Sequence, residues 1–417
     1  MKLRVPFSLC FFMAVLLSAS SCSIIRSENS TSSPALGSAM QSGVSSISAS
    51  LNETSSAVSS GIIDGSSSLP SSHTAIDQWV EKTPMSIPRY NFGMESVNGK
   101  IYAIGGDGNG ELNSVEEYDI ERDRWSIKKP MPTARYGLQT VLLDGKIYAI
   151  GGARKGQHFC AAVERYDSAA DTWAELTPMK TPREDFKAAV IDGKIYAMGG
   201  YGDAYVNSVE AYDPSTNIWT EKAPMPVSKT HFQVEILGGK VYVIGGFSPT
   251  ETTSSIEMYD PERNQWTRGA SMKTPRASFQ TEIVNGKIYA LGGDNYQAAA
   301  LSSVEEYDPS TNQWTSKRNM NAARSEFRTA VINRKIIAIG GWKEVGDYSK
   351  DKFLSSVEEY DPKKDIWVKK APLITPRGWF QAAMINGQLY ALGGADGSSN
   401  NKGLEPGIAS LEAYRFQ

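Results

Sequence analysis

The feature that most constrains this chain is a pattern that returns seven times between Trp79 and Tyr414. A Gly-Gly pair recurs every 46 to 53 residues. The pairs begin at Gly105, Gly151, Gly199, Gly245, Gly292, Gly340 and Gly393. An alternating run such as AAVIDGKIYA precedes each pair, and a second such as SVEAYDP follows it. Because alternation with a period of two and DG, NG or DP turns are typical of strands, each repeat predicts four short strands.

Large aromatic residues recur at fixed distances from each Gly-Gly pair. The tyrosines are Tyr118, Tyr166, Tyr212, Tyr259, Tyr307, Tyr360 and Tyr414, and the tryptophans that follow them are Trp125, Trp173, Trp219, Trp266, Trp314 and Trp367. We expect these side chains to pack between neighbouring sheets as core, rather than to form a base-stacking platform. A V-E-x-Y glutamate also recurs, as Glu116, Glu164, Glu210, Glu257, Glu305, Glu358 and Glu412. Because it is present in every repeat, we interpret it as structural.

The Gly-Gly, Tyr and Trp spacing, as in Gly199-Gly200, Tyr212 and Trp219, resembles the repeat of the kelch family. The resemblance extends from Trp79 to Tyr414, and its repetition makes it far more specific than one match would be. It implies that each repeat forms a blade with strands a to d from the axis outward, and that the blades surround a channel. We therefore expect an all-β fold, a seven-bladed β-propeller over residues 73–417.

The tryptophans indicate how the ring closes. Trp79 precedes the first Gly-Gly pair, whereas no tryptophan follows Tyr414 in the last repeat. The outer strand missing from the last blade therefore lies at the other end of the chain. We expect residues 76–82 to pair with residues 411–414, as is common in kelch propellers, which removes two exposed sheet edges.

The amino terminus is typical of a bacterial export signal. Lys2 and Arg4 precede an apolar run over residues 5–17, which is too short to span a membrane stably. Small residues then lead to Cys22, and the sequence ASSC resembles the lipobox, in which the cysteine is acylated. Ala19 stands where leucine is usual. Plain secretion, with Cys22 unmodified, is therefore the alternative.

Three segments are expected. Residues 1–21 form a signal peptide, residues 22–72 carry the lipidated Cys22 and a Ser-rich disordered tether, and residues 73–417 form the propeller. The tether is poor in aromatic residues and cannot bury enough apolar surface to order itself. We expect an exported lipoprotein on the extracytoplasmic face of the cell membrane, which contacts the membrane through its lipid only and is a monomer.

Composition argues against several classes of function. With 43 basic and 46 acidic residues, the chain has no basic excess for nucleic acid. The three histidines, His73, His158 and His231, are too few for copper chemistry of the galactose oxidase type. Nothing resembles a nucleotide-binding motif or a nucleophile elbow, so we expect no cofactor, no metal and no catalytic residue. Cys160 is interpreted as a small buried hydrophobe rather than a reactive thiol.

A cation stands before strand a in every repeat. These cations are Arg89, Arg135, Arg183, Lys229, Arg276, Arg324 and Arg377. Strand a is innermost, so we expect them at one mouth of the channel, where guanidinium groups could bind carboxylates. The alternative is that each arginine donates to a neighbouring loop carbonyl. Beside the cations stand residues that differ between repeats, Tyr90, Tyr136, Glu184, Asp185, His231, Glu326 and Trp379. The predicted ligand-binding residues are the seven cations with Tyr136, His231 and Trp379.

Two functions fit these observations. In kelch proteins that recruit partners, the resemblance implies that the mouth and the b–c loops bind them. Those loops are long at residues 342–355 and 395–409. We expect a binding module rather than an enzyme, with a protein or glycan ligand, acidic ligands included. The alternative is an enzyme similar to N-acetylneuraminate epimerase, acting on an acidic sugar with Glu184, Glu326 or His231 as acid–base.

Overall fold

The computed structural model describes residues 77–156, 158–295, 300–343, 352–398 and 407–415. The regular elements in these ranges are all strands. None of these residues belongs to a helix of the length and hydropathy that a membrane span requires.

Several predictions concern residues outside the described ranges. The signal peptide, Cys22, the tether and His73 are among them, and the two long loops are described only in part. Export, acylation and the tether therefore stay predictions.

Seven four-stranded antiparallel sheets form the blades. From strand a to strand d, blade 1 contains β2 (Gly93–Val97), β3 (Lys100–Ile104), β4 (Val115–Asp119) and β5 (Arg124–Lys128). Blade 2 contains β6 (Gln139–Leu143), β7 (Lys146–Ile150), β10 (Val163–Asp167) and β11 (Thr172–Glu175). Blade 3 contains β12 (Lys187–Ile191), β13 (Lys194–Met198), β14 (Val209–Asp213) and β15 (Ile218–Lys222). Blades 4 and 5 contain β16 (Gln233–Leu237), β17 (Lys240–Ile244), β18 (Ile256–Asp260) and β19 (Gln265–Arg268); and β20 (Gln280–Val284), β21 (Lys287–Leu291), β22 (Val304–Asp308) and β23 (Gln313–Lys317).

Blades 6 and 7 complete the ring. They contain β24 (Arg328–Ile332), β25 (Lys335–Ile339), β28 (Val357–Asp361) and β29 (Ile366–Lys370); and β30 (Gln381–Ile385), β31 (Gln388–Leu392), β32 (Leu411–Arg415) and β1 (Trp79–Lys82). Two short ribbons, β8 (Ala153–Arg154) with β9 (His158–Phe159) and β26 (Trp342–Lys343) with β27 (Lys352–Phe353), lie between strands b and c of blades 2 and 6. Each strand a contacts the strand a of both neighbouring blades, and β2 contacts β30. The predicted seven-bladed propeller is confirmed.

The ring closes as predicted, through the amino-terminal strand. β1 pairs antiparallel with β32, so that Trp79 lies opposite Tyr414 and Lys82 opposite Leu411. The Trp79 indole donates to the carbonyl of Ala371 at 3.0 Å, which ties the strand to blade 6 as well. The first and last described strands therefore share one sheet, and blade 7 has no missing partner.

The recurring aromatic pairs form the core between blades. Tyr118 and Trp125 lie opposite each other in register, with ring centroids 5.1 Å apart. The Tyr118 hydroxyl donates to Asp123 at 2.6 Å, and the Trp125 indole donates across the blade boundary to Thr83 O at 2.7 Å. Each ring is thus an apolar body with one satisfied polar group. The predicted core role is confirmed.

The Gly-Gly pairs require glycine for two reasons, a positive φ and a close contact with the backbone of the lead-in to strand a. Gly105 and Gly106 have φ of 61° and 100°, which L side chains rarely adopt. A Cβ on Gly106 would also lie 2.8 Å from the carbonyl oxygen of Tyr90. The lead-in to strand a therefore packs directly against the end of strand b. That contact recurs in every blade as an isolated bridge, of which Tyr90 with Asp107 is the first.

Candidate functional site

The seven cations that precede strand a are buried. Each of Arg89, Arg135, Arg183, Lys229, Arg276, Arg324 and Arg377 is 0% exposed. Each is paired with the V-E-x-Y glutamate of its own blade. The partners, in the same order, are Glu116, Glu164, Glu210, Glu257, Glu305, Glu358 and Glu412.

Blade 1 shows how the pair is built. Arg89 donates to Gly105 O at 2.8 Å and to Glu116 at 2.7 Å, so it joins the end of strand b to strand c. Glu116 also accepts from the backbone nitrogens of Ser86 and Ile87, at 2.7 and 3.2 Å. Burial lowers the pKa of Arg89, and the charge of Glu116 opposes that shift. The glutamate thus holds the lead-in loop and neutralises the cation at once, which confirms its structural role.

The prediction that these seven cations line the mouth for a ligand is corrected by their burial. Position along the chain placed them near the mouth, but their side chains turn inward to a glutamate. That glutamate lies 27 residues away from Arg89 and 35 residues away from Arg377, which are the two ends of the range. The alternative, donation to a carbonyl of a neighbouring loop, describes the arginines better. Their task is to hold the blade together.

A different set of residues surrounds the mouth. Two positions after each buried cation, the backbone adopts a positive φ, with values between 48° and 62°. These residues, here called the mouth ring, are Asn91, Gly137, Asp185, His231, Ser278, Glu326 and Trp379. Positive φ is uncommon outside glycine, so a shared constraint must impose it. Backbone bonds from blade to blade supply that constraint for Gly137, Ser278, Glu326 and Trp379, as from Glu326 N to Ser278 O at 3.1 Å. The backbone is uniform around the ring, whereas the side chains differ.

The first residue of strand a lies just below the mouth ring. It is glutamine in four blades, and the Gln381 side chain donates across the blade boundary to Phe92 O at 2.7 Å. Blades 1, 3 and 6 depart from this pattern with Gly93, Lys187 and Arg328. Both cations are half-buried. The channel therefore has two positive side chains where the repeat has neutral amides.

Three glutamates occupy the third position of strand a, Glu95, Glu235 and Glu282. Burial raises the pKa of each to about 7, while a hydrogen bond from a threonine of the next blade opposes the shift. Each is half-buried and stands on the innermost strand of its blade. A pKa near 7 is the range that suits a general acid or base.

Charged side chains of the mouth ring and of the strands that follow it come from three blades. Blades 3, 4 and 6 supply the group here called the charged arc, which consists of Asp185, Lys187, His231, Glu235, Glu326 and Arg328. The His231 Nε2 atom lies 3.8 Å from the Asp185 Oδ2 atom. Burial and the charge of Arg328 lower the pKa of Lys187, and Glu326, Asp185 and Glu235 oppose them, so that the pKa is about 8. Five of the six side chains therefore interact electrostatically.

Aromatic side chains stand beside the charged arc at blades 6 and 7. The Trp379 ring lies 6.4 Å from that of Trp342, at an interplanar angle of 30°. Phe353 packs edge-on against Trp379 at 5.5 Å. On another part of the rim, burial raises the pKa of Tyr136, and Glu184 adds to the shift. The binding role of Trp379, His231 and Tyr136 stays a prediction.

Two family models match this chain. The Attractin/LZTR1 beta-propeller matches residues 101–306, and the Kelch motif matches residues 323–374. Together with the seven blades and the closed ring, these matches decide the family. The chain belongs to the kelch-repeat β-propeller family.

Similarity of this kelch propeller to curated proteins is confined to about one blade. A segment of 56 residues is 46% identical to Influenza virus NS1A-binding protein homolog B of Danio rerio, covering 13% of this chain and 9% of that protein. A segment of 57 residues is 44% identical to Influenza virus NS1A-binding protein of Homo sapiens, covering 14% and 9%. A segment of 48 residues is 44% identical to Kelch-like protein 1 of Mus musculus, covering 12% and 6%. The chain thus spans less than a tenth of the length of these relatives.

Two solved structures share the propeller fold. A fungal alcohol oxidase of the AA5 family, in complex with copper, superposes with a TM-score of 0.67 at 18% identity, over 82% of this chain and 76% of that one. YjhT superposes with a TM-score of 0.55 at 17% identity, over 69% of this chain and 99% of that one. At such identity the likeness concerns the fold alone. Among the residues that the structure describes here, no three His, Cys, Asp or Glu side chains are grouped to hold a metal ion.

Sequence reasoning missed part of the kelch channel. Lys187, Arg328 and the glutamates Glu95, Glu235 and Glu282 were not among the predicted site residues. A signal was present, because aligning the seven a strands shows glutamine as the usual first residue and these side chains as departures. It was overlooked because the cation before strand a recurs in all seven repeats and is more conspicuous.

Proposed function

We propose that this kelch propeller is an exported, lipid-anchored binding module that receives a protein or glycan ligand at the mouth of its channel. The observation that carries the proposal is the contrast within the mouth ring. A uniform backbone with φ near +50° presents Asp185, His231, Glu326 and Trp379 at equivalent positions of different blades. Rigid frames that present variable polar and aromatic groups are typical of recognition surfaces.

The mouth can be tested with a glycan and peptide array probed with the full chain. For any ligand found, Trp379→Ala and His231→Ala should each weaken binding at least tenfold, because central aromatic and polar contacts carry most binding energy. Ile127→Ala is the matched control, since Ile127 is 64% exposed on the outer strand of blade 1. Binding that depends on Ile127 but ignores Trp379 and His231 would place the site on the outer strands and contradict the proposal.

The anchor is tested separately from the mouth. The proposal rests on Cys22, which follows an apolar run and small residues as in a lipobox. If the sulfur carries the lipid, Cys22→Ser should move the protein from the membrane fraction to the soluble fraction without changing its melting temperature. Unchanged membrane association of the variant would exclude acylation at this residue.

A second candidate is an enzyme similar to N-acetylneuraminate epimerase. The observation that favours it is the pair of channel carboxyls, Glu235 and Glu282, whose pKa burial raises to about 7. Groups that titrate near the working pH are efficient acid–base catalysts. Exchange of the anomers of N-acetylneuraminate, followed by NMR, should be faster with the full chain than without it, and slower again with Glu235→Gln or Glu282→Gln. An exchange rate that the protein does not change removes this candidate.

A further inference from the structure

A cavity opens on the face of the ring opposite the mouth. Its volume is about 510 Å³, and it lies between the turn that joins strands a and b of blade 4 and the a–b and c–d turns of blade 5. Because successive strands of a blade are antiparallel, these turns lie at the ends of the strands away from the b–c loops. Cavities of roughly 300–1,000 Å³ are typical of ligand sites. This cavity is therefore large enough for a ligand and separate from the mouth.

Blade 4 departs from the repeat at two positions near this cavity. The first residue of its a–b turn is Gly238, where the other six blades have asparagine or aspartate. A Cβ on Gly238 would have no atom within 4 Å, so the missing side chain leaves open space. The third residue of strand c is Met258, where blades 1, 5 and 6 have Glu117, Glu306 and Glu359. Blade 4 therefore lacks the side-chain oxygen that these three blades have at each position.

The glutamate on strand c accepts from two side chains of strand b. In blade 1, Glu117 accepts from Lys100 Nζ at 2.7 Å and from the Tyr102 hydroxyl at 2.6 Å. The same arrangement recurs in blade 5 around Glu306. The repeat thus shows which chemical group this lysine and this tyrosine bind together, and that group is a carboxylate.

Blade 4 keeps both donors without the carboxylate. Lys240 and Tyr242 occupy the positions of Lys100 and Tyr102, and both line the cavity. Tyr242 is 5% exposed, and its hydroxyl has no hydrogen-bond partner among the described residues. A buried donor without an acceptor is unfavourable, so a ligand that supplies the acceptor gains from it.

The lysine of blade 4 also lacks the substitute partner that other blades provide. Blade 2 has no glutamate on strand c either, but Lys146 lies 2.6 Å from Asp167 at the end of that strand, and blade 3 has the same pair. The corresponding aspartate of blade 4, Asp260, lies 3.5 Å from Arg263 instead. Among the lysines that begin a strand b in the described structure, only Lys240 forms no ion pair.

The opposite wall of the cavity belongs to blade 5. Its Lys287 lies 3.4 Å from Asp308 and also pairs with the glutamate of its own strand c. Of the two lysines that line the cavity, only Lys240 thus has an uncompensated charge, which favours a ligand group with one negative charge. Asn285 and Ser310 line the same wall, and their side chains can exchange hydrogen bonds with peptide groups.

We propose that this cavity is a second binding site, which takes an acidic side chain of a peptide or protein. The carboxylate of the ligand accepts from Lys240 and from the Tyr242 hydroxyl, as Glu117 does within blade 1. Leu237 and Pro309 line the cavity as well and present apolar surface to the residues that flank the acidic one. The site goes beyond the proposed function, because it lies on the other face of the ring and uses none of the mouth residues.

The test is an NMR titration of the full chain, in which the backbone amide signals of Gly238 and Gly286 report on the cavity that both residues line. The probes are an N-acetylated and C-amidated Gly-Glu-Gly peptide, the same peptide with glutamine in place of glutamate, acetate and inorganic phosphate. The glutamate peptide should bind about ten times more tightly than the glutamine peptide, because these donors bind a charged acceptor more strongly than a neutral one. It should also bind more tightly than acetate and phosphate.

Met258→Glu is the most informative variant, because it returns the carboxylate of blade 1 to blade 4. The introduced carboxylate should accept from both donors and weaken the peptide about tenfold or more. Lys240→Met and Tyr242→Phe should weaken it about tenfold and about fivefold. Lys100→Met is the matched control, since it removes the lysine at the same position of blade 1, and it should leave peptide binding unchanged. Near-ultraviolet circular dichroism checks that the fold of each variant is intact.

Several results would overturn the inference. They are equal binding of the glutamate and glutamine peptides, and a folded Met258→Glu or Lys240→Met variant that binds the peptide as well as the wild type. Acetate or phosphate that binds at least as tightly as the peptide would exclude an acidic side chain as the ligand, and signals that no probe shifts would exclude a site here. None of these results involves Trp379 or His231, so the proposed function at the mouth is tested independently.

Discussion

The propeller contains two kinds of cation that stand only four residues apart in the sequence. Arg183 is fully buried and lies 2.6 Å from Glu210, whereas Lys187 is half-buried beside the channel and has no ion pair within the described structure. The first kind recurs in all seven blades, and the second occurs in two. The cation that recurs in every repeat forms an ion pair with a glutamate of its own blade. The cation that occurs only in blades 3 and 6 forms no such pair within the described structure. In this fold, regularity marks structure and departure from it marks the candidate site.

The largest change in stability that distinguishes the two kinds of cation should follow from breaking one of the buried ion pairs that recur in every blade. Arg276→Ala leaves Glu305 buried without its cation, which lies at 2.9 Å. Removing one partner of a buried pair costs about 3–5 kcal/mol, so urea denaturation should show a loss of that size in the free energy of unfolding. The double variant Arg276→Met with Glu305→Leu should recover part of it. A loss below about 1 kcal/mol would mean that the repeat cations are as dispensable as exposed ones.

A smaller, pH-dependent effect is expected from a channel carboxyl. Burial raises the pKa of Glu282 from 4.5 to about 7, so the folded protein binds more protons than the unfolded one between these values. Stability should therefore fall as the pH rises from 4.5 to about 7. Glu282→Gln should be more stable than the wild type at pH 8, by about 1–2 kcal/mol after allowance for water in the channel, and equal to it at pH 4.5.

The control for that carboxyl comes from the repeat. Glu305→Gln removes the partner of Arg276, so at pH 8 it should destabilise the protein rather than stabilise it. Unfolding curves of both variants at pH 4.5 and pH 8 are sufficient. Equal destabilisation by the two glutamine substitutions would remove the distinction between channel and repeat carboxyls.

The smallest effect should come from Lys187. Burial lowers its pKa from 10.5 to about 8, so its positive charge destabilises the folded state below pH 8, and this penalty fades as the pH rises toward 10.5. Lys187→Met should therefore raise the free energy of unfolding at pH 7 by about 1 kcal/mol, with the long side chain still partly solvated. The gain should shrink above pH 8.

Lys229→Met is its matched control, because it changes the same residue type in the neighbouring blade. Lys229 is buried against Glu257 at 2.6 Å, so its replacement should destabilise the protein. Thermal unfolding at pH 7 gives the sign of both effects. The comparison is supported if Lys187→Met stabilises the protein and Lys229→Met destabilises it. It fails if both substitutions change the stability in the same direction.

Much of the fold could be predicted from residue patterns. Seven Gly-Gly pairs predict seven blades, because a positive φ and a close backbone contact recur wherever strand b ends. Trp79, which precedes the first repeat, predicts the closure through β1, since each blade has one tryptophan on its outer strand. The roles of Tyr118 and Trp125 follow in the same way. Each of these features depends on residues close together in the sequence, and each recurs in all seven repeats.

The candidate site was predicted only in part. Trp379, His231 and Tyr136 were identified because they differ between repeats, and their place in a ligand site stays a prediction. The direction of the Arg89 side chain could not be obtained in this way. A residue beside the channel can turn toward the channel or into the blade, and the choice depends on Glu116, which is 27 residues further along the chain.

The sequence by itself therefore determined the number of blades, their order, the closing strand and the face on which the repeats differ. Tertiary structure alone decided which charges meet. Burying a cation requires a partner within hydrogen-bond distance, and that partner is known only when strands b and c have paired. Likewise, Lys187 and Arg328 are 141 residues apart in the chain, and the charge of one lowers the pKa of the other only because seven blades close into a ring.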